Sequence, residues 1–263
     1  MIRVGVLGAG GRMGATVCAA VRDDPATELV AAVDPARAGT AVPGAPGLTY
    51  ASPAAAADVL ADGAAEVVVD FTSPDAVRAN ARMVAAAGLH LVIGTTGLGP
   101  DGEAELASLF PAGGRLGCVL AANFAIGAVL AMRFAELAAP WFETAEIIEL
   151  HHDRKLDAPS GTALRTAERM AAASGAWAPD PTRTTSVPGA RGGAGPGGIR
   201  IHSVRLRGLV AHQEVLLGTA GETLTIRHDS LDRASFMPGV LVAVKEVGAR
   251  PGLTVGIEPL LGL

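Results

Sequence analysis

The sequence is poor in cysteine, in aromatic residues and in lysine, and each scarcity limits the classes of protein to which the chain can belong. Its two cysteines, Cys18 and Cys118, fall in apolar segments and predict small buried side chains in a reducing compartment, which argues against a disulfide scaffold. Aromatic residues make up 3% of the chain, so Ala, Val, Leu and Ile must build its core. Only two of the 21 basic residues, Lys155 and Lys245, are lysines, so arginine is the usual cation here.

Long hydrophobic runs and an excess of basic charge are also missing. No apolar run reaches the roughly 18 residues of a membrane span, and the N-terminal segment lacks the apolar core of a signal peptide. The net charge of −5 gives no reason to expect nucleic acid or an anionic membrane as a partner. With 49% hydrophobic residues the composition is globular, and we predict a soluble cytoplasmic protein.

The first part of the chain alternates short apolar segments with helical ones. The predicted strands cover residues 2–8, 28–34, 66–71, 90–96 and 115–121. Strands that alternate with helices indicate βαβ units and a parallel sheet, and continuously apolar strands fit a sheet covered on both faces. The sequence therefore predicts a Rossmann-like α/β domain over residues 1–122.

The pattern changes after about residue 123. A helix is predicted over residues 125–138, a strand over 145–150 and another helix over 161–174. Three segments with alternating polarity follow at 199–206, 212–219 and 222–229, which predicts a mixed or antiparallel sheet. We expect a second α/β domain over residues 123–231, and the apolar tail at about 232–263 is predicted to return to the first domain.

A glycine-rich loop follows the first predicted strand. In "GVLGAGGRMG", Gly8 permits a tight turn, while Gly10 and Gly11 let the backbone approach a pyrophosphate at the start of a helix. The match to GxGxxG is imperfect, because the sixth position is Met13 and the glycine follows at Gly14. The strand–loop–helix context favours dinucleotide binding over a glycine-rich turn without a ligand.

Three further segments lie at the ends of predicted strands. Asp34 closes the second strand, where an acidic residue can accept both ribose hydroxyls of an adenosine; the alternative is a turn-initiating aspartate before Pro35. "GTTG" at residues 94–97 and "AANF" at 121–124 close two more strands. Ligands of open parallel sheets lie beyond the carboxyl ends of strands, although each segment alone is also typical of an ordinary turn.

The segment "ELHHDRKLDAPSGTA" concentrates chemistry in one short loop. His151, His152 and the following aspartate could form a metal site, but adjacent residues of a strand point to opposite faces and no metal-ligand spacing is present. A solvated polar loop is the second interpretation. In the third, histidine exchanges protons near neutral pH and Lys155 attracts an anion, so the loop serves an anionic substrate that must be protonated.

The same segment contains a predicted helix start. Ser160 follows Pro159 and is a plausible N-cap, and the amides of Gly161 and Thr162 can hold a carboxylate. With the ammonium of Lys155 nearby, the loop offers two places for negative charge. This favours a small dicarboxylate as ligand.

Taken together, "GAGGRMG", "DFTSP", "GTTG", "AANFAIGAVL" and "ELHHDRKLDAPSGTA" resemble the 4-hydroxy-tetrahydrodipicolinate reductase family over essentially the full length. The HHxxKxDAPSGT pattern is specific to that family. The resemblance implies an N-terminal Rossmann-like domain completed by the C-terminal tail, and a middle domain that binds substrate and forms a homotetramer. It also implies NADH and/or NADPH as cofactor, no metal, and a small dicarboxylate substrate in lysine and diaminopimelate biosynthesis.

The resemblance also assigns roles to residues that match the family motifs. For the cofactor, these are Gly8, Ala9, Gly10, Gly11, Arg12 and Met13 at the phosphates, Asp34 at the ribose, and Gly94, Thr95, Thr96, Ala121, Ala122, Asn123 and Phe124 at the nicotinamide side. For the substrate, they are His151 as proton donor or acceptor, Lys155 as proton donor, His152 as a contact, and Gly161 and Thr162 at a carboxylate. Some members carry an arginine after the aspartate, where this chain has Pro35; Arg12 and Arg37 remain as substitutes for binding a 2′-phosphate.

The implied chemistry is conjugate addition of hydride to a cyclic unsaturated imine, followed by protonation. Whether His151 or Lys155 gives the proton stays open at this point. Two rival functions use the same features differently. A non-enzymatic NAD(P) sensor would explain the glycine loop but not the HHxxK segment, and a metal-dependent hydrolase would need the histidines as ligands.

Overall fold

A computed structural model of the protein describes all 263 residues. Its contacts divide the chain into two compact units. Unit 1 contains residues 1–124 and 236–263, and unit 2 contains residues 125–235. The C-terminal segment therefore belongs to the same unit as the N-terminal one.

The regular elements are the following, in chain order. The strands are β1 (Ile2–Leu7), β2 (Thr27–Val33), β3 (Val67–Asp70), β4 (His90–Ile93), β5 (Gly117–Leu120), β6 (Thr144–His151), β7 (Gly193–Ala194), β8 (Arg200–Arg205), β9 (Ala211–Thr219), β10 (Glu222–Ser230) and β11 (Gly252–Val255). The helices are α1 (Arg12–Asp23), α2 (Ala56–Asp62), α3 (Pro74–Ala86), α4 (Gly99–Leu109), α5 (Ile126–Ala138), α6 (Gly161–Ala173) and α7 (Met237–Glu246). None of the helices combines the length and apolar character needed to cross a lipid bilayer.

Unit 1 is built on a six-stranded parallel sheet in the order β11-β5-β4-β3-β1-β2. Every residue of β3 is buried, as expected for a strand covered on both faces. The edge strand β11 comes from the C-terminal tail and pairs with β5. The predicted Rossmann-like parallel sheet is confirmed.

Unit 2 contains a five-stranded mixed sheet in the order β10-β9-β6-β8-β7. The central strand β6 runs parallel to β8 and antiparallel to β9. Strand residues such as Ile147 and Leu217 pack with alanines of α5 and α6, including Ala135 and Ala167, in one buried cluster. The predicted second α/β fold with a mixed sheet is confirmed.

Differences from the sequence-based prediction are confined to boundaries and short elements. Strand β4 ends at Ile93 and β5 at Leu120, so "GTTG" and "AANF" lie in the loops beyond the strands rather than inside them. Helix α2 was not predicted, because seven residues make only about two turns and give little periodic signal. Helix α7 begins at Met237, with Pro238 in its first turn, where no backbone donor is needed.

Candidate active site

The glycine loop of unit 1 joins β1 to α1 and depends on glycine for steric reasons. Gly8 has a φ of +75°, and a Cβ there would lie 2.6 Å from the carbonyl oxygen of Phe71. A Cβ on Gly14 would overlap the carbonyl oxygen of Gly8, so this glycine lets α1 approach the loop closely. Gly14 therefore fills the helix-packing role that the GxGxxG pattern gives to its third glycine, one position later.

Asp34 lies directly after β2 and is only 7% exposed. One carboxylate oxygen accepts from the amide of Gly10 at 3.0 Å, and the other accepts from the amide of Ala36 at 2.9 Å. The side chain of Arg37 lies beside Gly10, with its Cγ 2.5 Å from the point where a Cβ on Gly10 would stand. These bonds orient the carboxylate, and its remaining lone pairs keep it able to accept from ribose hydroxyls.

The other predicted cofactor residues lie beyond the carboxyl ends of β4 and β5. Thr95 is 8% exposed, and its hydroxyl is buried without a hydrogen-bond partner. Phe124 packs against Phe71 with ring centroids 5.9 Å apart, at the ends of β5 and β3. An unpaired buried hydroxyl and the bare start of α1, which has no side-chain cap, fit a polar ligand with a pyrophosphate.

In unit 2, His151 is the last residue of β6, and its neighbour on the same strand face is Glu149. His151 Nδ1 lies 2.6 Å from Glu149 Oε2, and Glu149 is fully buried. Arg205 donates to both carboxylate oxygens, at 2.8 and 2.7 Å, and the amide of Ser160 donates to Oε1 at 3.1 Å. Burial opposes ionisation of Glu149, but the hydrogen bonds from His151, Arg205 and Ser203 outweigh it and lower the pKa to about 2.

Arg205 connects this cluster to Lys155. Its guanidinium also donates to the carbonyl oxygen of Asp157 at 2.7 Å. The carboxylate of Asp157 holds the ammonium of Lys155 at 2.8 and 2.7 Å, and that hydrogen bond is the main reason why the pKa of Asp157 is lowered. The structure thus brings His151 and Lys155, four residues apart, into one hydrogen-bonded network.

The start of α6 lies next to this network. Ser160 is its N-cap, and the hydroxyl accepts from the amide of Ala163 at 3.2 Å. Gly161 is exposed, and the side where a Cβ would stand has no atom within 4 Å. A carboxylate can therefore approach the first turn at Gly161 and Thr162, where backbone donors and the helix dipole favour an anion.

The adjacent donors of the "HHD" run serve different partners. His151 contacts Glu149, whereas His152 Nδ1 accepts from the amide of Arg154 at 3.2 Å and Asp153 binds Arg207 at 2.9 Å. Burial, together with the positive charge of Arg154, lowers the pKa of His152 and favours its neutral form. No group of three or more His, Cys, Asp or Glu side chains in the molecule is arranged to share a metal ion.

Three residues of these sites were not identified from the sequence: Gly14, Glu149 and Arg205. Glu149 could have been found, since a strand residue two positions before His151 shares its face. Arg205 could not, because its position opposite His151 depends on the pairing of β6 with β8.

Comparison with known proteins identifies relatives over the whole chain. Residues 2–124 match the family described as dihydrodipicolinate reductase, N-terminus, and residues 127–261 match its C-terminus. The chain is 52% identical to 4-hydroxy-tetrahydrodipicolinate reductase of Nocardia farcinica over 266 residues, covering 100% of this chain and 99% of the relative. It is also 52% identical to the enzyme of the same name from Mycobacterium ulcerans, with 100% of both chains covered.

A solved structure extends the likeness to three dimensions. It is a dipicolinate-bound dihydrodipicolinate reductase from Paenisporosarcina sp. TG-14, with 37% sequence identity and a TM-score of 0.84. The match covers 98% of this chain and 99% of the other. Both units are therefore shared with an enzyme of this kind.

The buried carboxylate predicts a pH-dependent stability. Because the pKa of Glu149 is lowered from 4.5 to about 2, its ionised form stabilises the fold above about pH 4.5, and this contribution is lost as the pH falls towards 2. The shift corresponds to at most about 3 kcal/mol. We expect urea titrations to show the free energy of unfolding decreasing across this window, and decreasing less steeply in Glu149→Gln. Equal slopes in both proteins would contradict this role of the carboxylate.

Proposed function

This chain belongs to the dihydrodipicolinate reductase family, and from that premise we propose how its own residues carry out the reaction. The reaction is the NAD(P)H-dependent reduction of 4-hydroxy-tetrahydrodipicolinate to tetrahydrodipicolinate in lysine and diaminopimelate biosynthesis. The residue roles, the preferred nucleotide, the assembly and the location in the cell are the proposed part.

Unit 1 is proposed to hold the dinucleotide, which supplies a hydride when bound. The loop from Gly8 to Met13 would bind its phosphates through backbone amides, and Asp34 would accept from the adenosine ribose. Residues 94–96 and 121–124 would line the nicotinamide half. The steric demand for glycine at positions 8 and 14 and the unpaired hydroxyl of Thr95 support this assignment.

Unit 2 is proposed to hold the dicarboxylate. One carboxylate would bind at Gly161 and Thr162, where the exposed helix start favours an anion. Lys155 would attract negative charge, and its partner Asp157 is 64% exposed at the side chain and free to give way to a ligand. The neutral ring of His152 would supply a further hydrogen bond to the substrate.

Protonation completes the reduction and is proposed for His151 and Lys155. Hydride addition moves negative charge towards the ring nitrogen, and groups that donate a proton or a positive charge stabilise it. The single observation that carries the proposal is the network from His151 through Glu149, Arg205 and Asp157 to Lys155. This network supports the proposal, because it holds His151 and Lys155 next to a helix start suited to a carboxylate.

A homotetramer and a cytoplasmic location are also proposed. The tetramer follows from the family resemblance, with unit 2 as the assembling part. The cysteines support a reducing compartment, since both are buried and unpaired, and burial raises the pKa of the Cys18 thiol to about 12.

The reaction and the role of His151 can be tested together. We expect the wild type to consume NADH when the preceding synthase generates the substrate in the assay. His151→Gln keeps a similar size but has no titratable proton, so kcat should fall on the order of 10²–10⁴-fold while NADH binding is retained. A rise in KM alone would make His151 a binding residue, and a wild type that consumes no NADH would refute the assigned activity.

The nucleotide preference can be predicted from Asp34. Its carboxylate favours a free 2′-hydroxyl and repels a 2′-phosphate, and Pro35 offers no cation. We expect kcat/KM with NADH to equal or exceed that with NADPH. Arg37 lies beside Gly10, so Arg37→Ala should lower kcat/KM for NADPH more than for NADH. A strong NADPH preference in the wild type would contradict the proposal.

Substitutions of Lys155 can show whether this residue donates a proton or acts only through its positive charge. An ammonium can release a proton and a guanidinium effectively cannot, so Lys155→Arg should lower kcat nearly as much as Lys155→Ala, by about 10²-fold or more. The matched control is Lys245→Arg, because Lys245 is the only other lysine and forms an ion pair with Asp24 at 2.6 Å. We expect steady-state kinetics of Lys245→Arg to equal the wild type. If Lys155→Arg retains most of the activity, its charge alone suffices.

A further inference from the structure

The contacts of Glu149 constrain the ring of His151. Glu149 Oε2 lies 2.6 Å from His151 Nδ1, and the same oxygen accepts from Arg205 at 2.8 Å. Its other oxygen accepts from Arg205 at 2.7 Å and from the amide of Ser160 at 3.1 Å. All four contacts surround a carboxylate with no exposed surface.

An ionised carboxylate can only accept hydrogen bonds, so the nitrogen that faces it must carry a hydrogen. Arg205 stabilises the ionised carboxylate inside the protein, because a bidentate guanidinium compensates the buried negative charge. The neutral ring of His151 therefore has its hydrogen on Nδ1, and Nε2 is the nitrogen left to exchange a proton.

We infer that Glu149, kept ionised by Arg205, is a positioning residue that sets the tautomer of His151, so that proton exchange takes place only at Nε2. This inference rests on the proposed role of His151. In the step itself, the N–H bond at Nε2 breaks and its electron pair stays on the nitrogen. The ring carries a hydrogen on each nitrogen before this step. The proton from Nε2 goes to the reduced substrate, and a neutral ring remains, whose hydrogen on Nδ1 is still donated to Glu149, until solvent protonates Nε2 again.

Glu149→Gln changes this arrangement without changing its shape. The amide has one accepting oxygen, which faces Arg205 Nη2 and the amide of Ser160, because neither of those groups can accept a hydrogen bond. Arg205 Nη1, which faces the amide nitrogen in this variant, keeps the carbonyl oxygen of Val204 as its acceptor at 2.8 Å. The amide nitrogen then faces His151, which can respond by moving its hydrogen from Nδ1 to Nε2. The variant should therefore invert the tautomer.

The experiment is ¹⁵N NMR of histidine-labelled protein together with steady-state kinetics. The chain has six histidines, and the signals of His151 are assigned by their loss in His151→Gln. We expect the hydrogen of the neutral ring on Nδ1 in the wild type and on Nε2 in Glu149→Gln, with kcat lowered about 10²-fold and KM changed much less. Glu149→Asp keeps an acceptor-only carboxylate and should retain the wild-type tautomer and a larger part of kcat.

Glu146→Gln is the matched control. Glu146 lies on the same strand and contacts His202 Nε2 at 2.7 Å and Arg191 at 2.6 Å, outside the proposed site. It should keep kcat within about twofold of the wild type. A wild-type hydrogen on Nε2, or a Glu149→Gln protein with unchanged tautomer or unchanged kcat, would overturn the inference. The NMR result does not depend on reductase activity, so it separates failure of this inference from failure of the proposed reaction.

Discussion

The ion pair between Glu149 and Arg205 is the interaction on which the arrangement of unit 2 around His151 depends. It joins strands β6 and β8 through their side chains, and it also receives the backbone amide at the start of α6. Breaking such a pair by removing one partner leaves an uncompensated buried charge, which costs about 3–5 kcal/mol. The loop that contains Lys155 is bound to the same pair through the carbonyl of Asp157. The positions of His151 and the Lys155 loop thus depend on one electrostatic contact and not on loop packing alone.

Unit 1 is constrained by backbone sterics instead. Its parallel sheet places the loops after β1, β3, β4 and β5 at one edge. The loop after β3 leaves no room for a side chain at Gly8, and the close approach of α1 to the loop after β1 leaves none at Gly14. The carboxylate of Asp34 then binds the amide of Gly10, so the acidic residue and the glycine loop orient each other. The shape of the glycine loop is therefore set by contacts within the protein itself.

Much of this organisation could be predicted from the sequence, because local patterns carry it. Apolar strands alternating with helices predicted the parallel sheet, and polarity alternation after residue 199 predicted the strands of unit 2. Strand order and pairing register could not be predicted from local patterns, because they depend on contacts between residues that are distant in sequence. Arg205 reaches Glu149 across 56 positions, so no local signal could identify it. The imperfect GxGxxG match has a local cause that the sequence pattern does not show: the glycine stands at position 14 because α1 contacts the loop there. The functional roles of His151, Lys155 and the cofactor residues stay predictions that rest on residue chemistry and family resemblance.

The origin of β11 in the C-terminal tail has a consequence for biosynthesis. Unit 2 is continuous in sequence, whereas the sheet of unit 1 receives its edge strand only from residues 252–255. While the ribosome is still translating the intervening segment, β5 has one unpaired edge, and such edges can pair with other chains. The core of unit 2 can therefore form in the nascent chain before β11 is synthesised and the sheet of unit 1 is complete.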